Sequence, residues 1–138
     1  MKFKESIFYR QLKHSELKMP FGVYYLCDGF VIGELNEGIH FDYDKADDIA
    51  EKLIDFYGDS PALCLVSNRI NSYSVEPQNW TRVLKLYPKL LRRSCIISYN
   101  TLSQFNADLE KRFFKENIVT FKTLTEAINW AQNFEESV

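Results

Sequence analysis

Polar side chains able to bind or react are concentrated in one stretch of the chain, Ser67-Asn68-Arg69-Ile70-Asn71-Ser72-Tyr73-Ser74. The stretch supplies two amides, a guanidinium, three hydroxyls and a phenol. It follows directly on the apolar residues 62–66, and a buried strand that ends in a polar loop is where open α/β sheets place binding sites. We therefore predict a site here, formed by the loop of residues 67–76.

Four side chains of this loop are the predicted partner-binding residues, namely Asn68, Arg69, Asn71 and Tyr73. Arg69 is the strongest candidate, because a guanidinium binds a carboxylate or a phosphate through two parallel hydrogen bonds. An alternative fits the sequence equally well. In it, the asparagines and serines only satisfy the hydrogen bonds of turns and helix caps.

No sequence pattern typical of catalysis or metal binding accompanies the loop. His14 and His40 lie in neither a G-x-S-x-G nor an H-E-x-x-H sequence. The acidic residues near His40 lack the spacing of an EF-hand. The cysteines, expected to be free core thiols because no C-x-x-C occurs, are Cys27, Cys64 and Cys95. We expect no catalytic residue, no metal and no cofactor, and hence a protein that is not an enzyme.

Composition indicates one folded domain spanning residues 1–138. Hydrophobic residues make up 46% of the chain and aromatic residues 15%, which argues against disorder. The net charge of −2 argues against electrostatic binding of nucleic acid. No apolar run is long enough to cross a bilayer and the first residues lack the apolar segment of a signal peptide, so we expect a cytoplasmic protein.

The elements that must hold this loop can be read from the hydrophobic pattern. Residues 6–12 are predicted to form an edge strand, and Asp28-Gly29 is predicted to join residues 21–27 and 30–35 in a hairpin with a type I′ turn. Apolar residues recur at helical spacing over 46–57, and Gly58 follows where a helix ends. Residues 62–67, which lack polar alternation, are predicted to form a central strand.

Strands and helices are predicted to alternate in the second half of the chain. Pro77 fits the first position of a helix that contains Trp80 and ends before Pro88, and residues 95–99 form the next strand. A capping box at Thr101 begins a helix whose predicted core face is Leu102, Phe105, Leu109 and Phe113. Residues 118–121 form the last strand. A second capping box at Thr123 begins a helix with a core face of Leu124, Ala127, Ile128, Ala131 and Phe134.

The predicted fold class is α/β. We expect a single mixed β-sheet with an N-terminal antiparallel hairpin, βαβα crossovers and about four helices.

This pattern resembles the STAS superfamily, in particular its small SpoIIAA-like branch, also described as STAS/SEC14-like. The first matching place is Asp28-Gly29-Phe30-Val31-Ile32-Gly33 with the amphipathic helix after it, and the second is the buried strand at 62–66 with its hydroxyl-rich loop. The third is Val119-Thr120-Phe121-Lys122-Thr123-Leu124-Thr125-Glu126-Ala127-Ile128-Asn129-Trp130. Together these places span most of the chain.

The resemblance implies a non-enzymatic regulatory module. Anti-sigma-factor antagonists of this type bind a partner kinase and are switched by phosphorylation of a serine near the helix that follows a central strand. The family's Asp-Ser-Ser/Thr-Gly site is replaced here by other residues, so the candidate phosphorylation sites are Ser67, Ser72 and Ser74. The expected partner is a kinase or an anti-sigma-type regulator.

Two further hypotheses concern other partners. The alternative function is that of a SEC14-like small-molecule or lipid binder, with a pocket in the aromatic-rich interior. A homodimer is also expected through residues 6–12, because an edge strand presents unpaired backbone groups.

Overall fold

The structure is a computed structural model that describes residues 1–113 and 118–133. Its main feature is a six-stranded mixed sheet with helices on both faces. The sheet comprises β1 (Ser15–Met19), β2 (Gly22–Leu26), β3 (Phe30–Leu35), β5 (Leu63–Asn68), β7 (Leu91–Ile97) and β8 (Ile118–Phe121), in that spatial order. A separate two-stranded sheet pairs β4 (His40–Phe41) with β6 (Ser74–Val75). The helices are α1 (Phe8–Gln11), α2 (Tyr43–Tyr57), α3 (Asn79–Leu86), α4 (Thr101–Lys111) and α5 (Leu124–Gln132).

The predicted α/β class and topology are confirmed. Strands β1, β2 and β3 are antiparallel, whereas β3, β5, β7 and β8 run parallel to one another. Strand β5 lies between β3 and β7, so the apolar run that precedes the candidate loop is indeed a central strand. Thr123 caps α5 at the predicted position, since its hydroxyl accepts a hydrogen bond from the Glu126 amide at 3.2 Å. The Glu126 carboxylate accepts from the Thr123 hydroxyl at 2.9 Å, however, so the structure shows only the N-cap half of the predicted capping box. Phe134, the last predicted core residue of α5, lies outside the described residues.

The hairpin turn differs in type from the prediction. The Cys27 amide donates to the Phe30 carbonyl at 2.9 Å, so Asp28 and Gly29 form a two-residue loop as expected. Gly29 has a φ of +83°, but Asp28 is not among the described residues with positive φ. A type I′ turn requires positive φ at both positions, so the type I′ prediction is wrong.

The prediction of an edge strand at residues 6–12 is also wrong, because this segment forms the short helix α1. Phe8 and Leu12 are four residues apart, and a helical turn places both against the core beside Phe3. The strand at the edge beside β2 is β1, at the opposite edge from β8, and it carries Glu16 and Lys18 on its solvent side. Charged side chains on an edge oppose pairing with another strand, and dimerisation through residues 6–12 loses its basis.

The predicted core face of α4 is wrong as well. Leu102, Phe105 and Leu109 are 61%, 67% and 37% exposed, whereas Phe113 is half-buried. The side chains that α4 buries are those of Ala107 and Glu110. Their burial turns the apolar stripe of this helix toward solvent.

Two core layers flank the sheet. On one face, the N-terminal Phe3 and Phe8 pack with α5 against side chains such as Ile32 and Val66. On the other face, α2 and α3 cover side chains such as Tyr24 and Val31. The alternation of side chains along each strand thus divides the interior into two separate halves.

Gly22 gives a test of how tightly β2 and β3 pair. A Cβ at this position would lie 2.7 Å from the Glu34 carbonyl oxygen and 2.8 Å from the Leu35 Cα, and neither backbone atom can move away easily. We expect Gly22→Ala to lower the free energy of unfolding by about 2–3 kcal/mol, measured by urea denaturation.

Gly29→Ala is the matched control for this test. The space around Gly29 is open, so only its positive φ opposes the substitution, at a cost of about 1 kcal/mol. Equal losses for the two variants would contradict the steric account of Gly22.

Candidate functional site

The candidate loop begins with a buried hydrogen-bond junction at Asn68, the last residue of β5. The Asn68 amide nitrogen donates to Glu34 Oε2 at 2.7 Å and to the Met1 carbonyl at 2.9 Å. Its Oδ1 accepts from the Tyr99 hydroxyl at 2.6 Å. Asn68 therefore joins β3, the N-terminus and the segment after β7.

Glu34 is the charged member of this junction. Its Oε2 also accepts from the Phe3 amide at 2.8 Å, which fixes the N-terminal turn on the sheet. Burial raises the pKa of Glu34, although the hydrogen bonds from Phe3 and Asn68 and the nearby positive charges act in the opposite direction. The folded state consequently disfavours the ionised carboxylate.

Arg69 binds a carboxylate of the same chain. Its two terminal nitrogens donate to the two oxygens of Glu110 on α4, one of them at 2.7 Å. Trp80 on α3 donates to Glu110 Oε1 at 2.9 Å. Arg69 and Glu110 are both buried, so the bidentate contact predicted for this guanidinium is made within the fold.

Tyr73 and Ser67 complete the surroundings of the guanidinium. Arg69 Nε donates to Ser67 Oγ at 3.1 Å, and the guanidinium carbon lies 5.5 Å from the centre of the Tyr73 ring. Burial lowers the pKa of Arg69, but Tyr73 and Glu110 raise it, and the net direction is upward. Arg69 is therefore a permanent buried cation that is paired on several sides.

The outer part of the loop is tied to the segment that follows β3. Asn71 donates to the Leu35 carbonyl at 2.9 Å, and the Ser72 amide donates to Glu37 Oε1 at 3.0 Å. The Ser74 hydroxyl lies 2.7 Å from His40 Nδ1, where β6 pairs with β4. These contacts hold the loop in one conformation over the carboxyl ends of the strands.

The predicted site residues thus differ in exposure, with Ser67 and Asn71 half-buried between an inward and an exposed group. Asn68, Arg69 and Tyr73 point inward and organise the fold, whereas Ser72 and Ser74 are exposed. Ser67 is half-buried beneath Arg69. Sequence reasoning missed the partners of these residues, which are Glu34, Tyr99, Glu110 and His40. A buried glutamate in the last turn of an amphipathic helix has no signal in the sequence that separates it from a solvent-facing one.

The loop and α4 form one continuous surface. A small cleft of about 70 Å³ lies between Tyr73, Asn106 and Leu109, and another of about 30 Å³ lies between Ser72, Leu102 and Asn106. The exposed stripe of Leu102, Phe105 and Leu109 therefore continues the surface of the candidate loop. We call this combined surface the α4–loop face.

A mostly apolar cavity of about 90 Å³ lies between the sheet, α2 and α3. Ser67, Arg69 and Tyr73 of the loop contribute to its walls. Typical pockets for drug-sized ligands measure about 300–1,000 Å³, so the volume of this cavity gives the lipid alternative no support. Within residues 1–113 and 118–133, no helix is both long and apolar enough to span a membrane.

Neither a protein-family model nor a curated protein matches the chain. Among solved structures, the chain is similar to an uncharacterized protein of the DUF3478 family with a SpoIIAA-like fold from Shewanella loihica. The match has a TM-score of 0.50 and 12% sequence identity, and covers 87% of this chain and 93% of the other. The chain therefore has a SpoIIAA-like fold, as the sequence resemblance implied.

The Arg69–Glu110 pair can be tested by removing one charge or both. Glu110→Gln leaves the buried guanidinium without its counter-charge, and we expect it to lower the free energy of unfolding by about 3 kcal/mol. The double variant Arg69→Met with Glu110→Leu removes both charges and should recover most of that loss. Urea denaturation of the single and double variants compares the loss of one charge with the loss of both. A single variant as stable as the wild type would contradict the role given to this pair.

Glu34 should make stability depend on pH. Because burial raises its pKa, protonated Glu34 contributes fully to the free energy of unfolding below the unfolded-state pKa of about 4.3. This contribution is lost as the pH rises through the folded-state pKa. We expect the stability of Glu34→Gln relative to the wild type to increase from pH 4 to pH 7 in urea titrations. Glu51→Gln, an exposed change on α2, is the control that should show no such trend. A flat difference for Glu34→Gln would exclude burial of its charge.

Proposed function

We propose that this protein is a non-enzymatic module that binds a protein partner through the α4–loop face. The observation that carries the proposal is the exposure of Leu102, Phe105 and Leu109 on one side of α4. Contiguous apolar side chains rimmed by polar residues are typical of protein-binding surfaces. The rim here consists of Ser72, Asn100, Ser103 and Asn106.

The cost of this exposure supports a partner that covers the stripe. Full burial of a leucine or phenylalanine side chain is worth about 1.5–3 kcal/mol, and α4 leaves Leu102 and Phe105 mostly exposed and Leu109 37% exposed. Rotation of α4 to bury them would separate Glu110 from Arg69, and both buried charges would lose their ion-pair partner. The fold thus keeps the stripe available, and a partner recovers its burial on binding.

Ser74 is the phosphorylation site that we favour as a switch on this face. Its hydroxyl is exposed and lies 2.7 Å from His40, whose protonated ring would pair with a phosphate. Ser72 is exposed too, but its amide is bonded to Glu37, whose carboxylate would repel a phosphate on Ser72. Ser67 is half-buried and accepts a hydrogen bond from Arg69, so a kinase would reach it only after the loop opens.

Capture of partners from a host extract tests the binding surface. We expect Phe105→Ser to reduce the amount of the specific partner by about tenfold or more without loss of stability, because Phe105 is 67% exposed. Quantitative mass spectrometry of the captured proteins measures the change.

Phe56→Ser is the matched control, since Phe56 is 53% exposed on α2 and lies outside the α4–loop face. The proposal requires that partners lost with Phe105→Ser are retained with Phe56→Ser. If both variants capture the same proteins as the wild type, the α4–loop face does not bind a partner.

Phosphopeptide mapping of the protein isolated from its host tests the switch separately. We expect phosphate on Ser74, and we expect it to disappear in Ser74→Ala but not in Ser72→Ala. Phosphate confined to Ser72 would contradict the role assigned to His40.

A further inference from the structure

We propose that the cavity of about 90 Å³ between the sheet, α2 and α3 binds one small uncharged molecule with an apolar ring and a hydroxyl group, such as a phenol or a cyclic alcohol. The inference rests on the cavity walls and is independent of the α4–loop face. Three features of those walls define such an occupant: their apolar character, two unused polar groups and the absence of net charge among the described wall residues.

Most of the cavity wall is aliphatic. Leu35 of β3, Ile49 and Leu53 of α2, and Val83 of α3 line it. An apolar cavity of about 150 Å³ stays free of water and takes up benzene, so a space of this kind is suited to a compact ring. The volume here is smaller still, so the occupant can be no larger than a single small ring.

Asn79 provides an unused acceptor in the wall. The residue is 4% exposed, and its Nδ2 donates to the Phe41 carbonyl at 2.8 Å and to the Asp42 carbonyl at 3.2 Å. These two donated bonds fix the orientation of the amide, because the reverse orientation would place its oxygen against two carbonyls. Oδ1 has no hydrogen-bond partner among the described residues. A buried acceptor left unpaired costs about 1–3 kcal/mol, which a hydroxyl donor on a ligand would offset.

Tyr24 provides the second unused group. Its ring lies on the same face of the sheet as α2 and lines the cavity, and its hydroxyl makes no hydrogen bond with another described residue. Burial raises the pKa of Tyr24, with a smaller contribution from Tyr73, so the phenol stays neutral and can donate as well as accept. The Tyr24 hydroxyl can thus pair with a ligand hydroxyl, and Asn79 Oδ1 becomes a second acceptor when a small shift of its side chain exposes it to the cavity.

The charges in the wall favour an uncharged occupant. Arg69 and Glu110 reach the cavity, but each is the other's counter-charge within a bidentate pair. A charged ligand would have to give up its hydration without a free opposite charge among the described wall residues, which is strongly unfavourable. One water molecule paired with Tyr24 and Asn79 is the competing occupant, but the rest of the wall is mostly aliphatic and offers further waters few polar partners.

Phenol and benzene are the probes that separate these possibilities. We expect chemical-shift titrations to show phenol binding within the cavity about three- to tenfold more tightly than benzene, the difference that one net hydrogen bond supplies. The shifts should appear at wall residues such as Ala50 and Val83. If neither probe shifts these resonances at about 10 mM, where a site with a Kd of about 1 mM would be mostly occupied, the proposal is overturned.

Two variants locate the binding. Tyr24→Phe removes a hydroxyl that bonds to no described residue, so the fold should keep its stability while the preference for phenol over benzene falls about threefold. Tyr25→Phe is the matched control, because Tyr25 lies on the opposite face of the sheet and should leave the preference unchanged. Loss of the preference in both variants, or in neither, would overturn the assignment of Tyr24.

Ala50→Leu fills the cavity with a larger side chain and provides the second location test. Ala50 is buried in the wall, and we expect this variant to abolish binding of both probes. Retention of phenol binding by a folded Ala50→Leu variant would place the binding elsewhere and overturn the proposal. Partner capture through Phe105 serves as an independent readout, so failure of the cavity proposal and failure of the proposed function are distinguishable.

Discussion

The bidentate ion pair between Arg69 and Glu110 is the contact that sets the arrangement of the candidate site. Arg69 emerges from the end of the central strand β5, and Glu110 projects from α4, so the pair links the sheet to a helix that covers it. A buried cation must keep its counter-charge, because removing one partner of a buried ion pair costs about 3–5 kcal/mol. This requirement sets the rotation of α4 about its axis. The rotation in turn exposes the apolar stripe of α4 and places the Arg69–Glu110 pair in the wall of the cavity.

A second buried network lies at the end of the same strand. Asn68 forms hydrogen bonds with Glu34, Tyr99 and the Met1 carbonyl. The adjacent Arg69 contacts Ser67, Tyr73 and Glu110. Two consecutive residues therefore connect elements that are far apart in sequence. These polar contacts tie the loop after β5 to the sheet and to α4, and they place its exposed hydroxyls beside α4.

Much of the fold could be predicted from local signals. Asp28-Gly29, Gly58 and the Thr123 N-cap each act over a few residues, so they identify the hairpin and the helix ends without knowledge of the tertiary structure. The helix α1 was missed because residues 6–12 are too few for a reliable periodicity, and one helical turn contributes only two core side chains. The face of α4 was missed for a different reason. An apolar stripe predicts the buried face of a helix only when no buried charged residue lies on another face. The sequence does not indicate that Glu110 is such a residue. The inward direction of Arg69 depends on the same long-range contact.

The chemistry of the α4 helix also has a consequence for how the chain can diverge. Positions 69 and 110 cannot change one at a time without an uncompensated buried charge, so substitutions at these positions are expected to occur together. Positions 102, 105 and 109 lie outside the core, and folding places few constraints on them. Sequences that descend from this one can therefore alter the surface of α4 freely while its anchor stays the same. Selection for a new binding specificity would act on that one helix without requiring any change in the sheet.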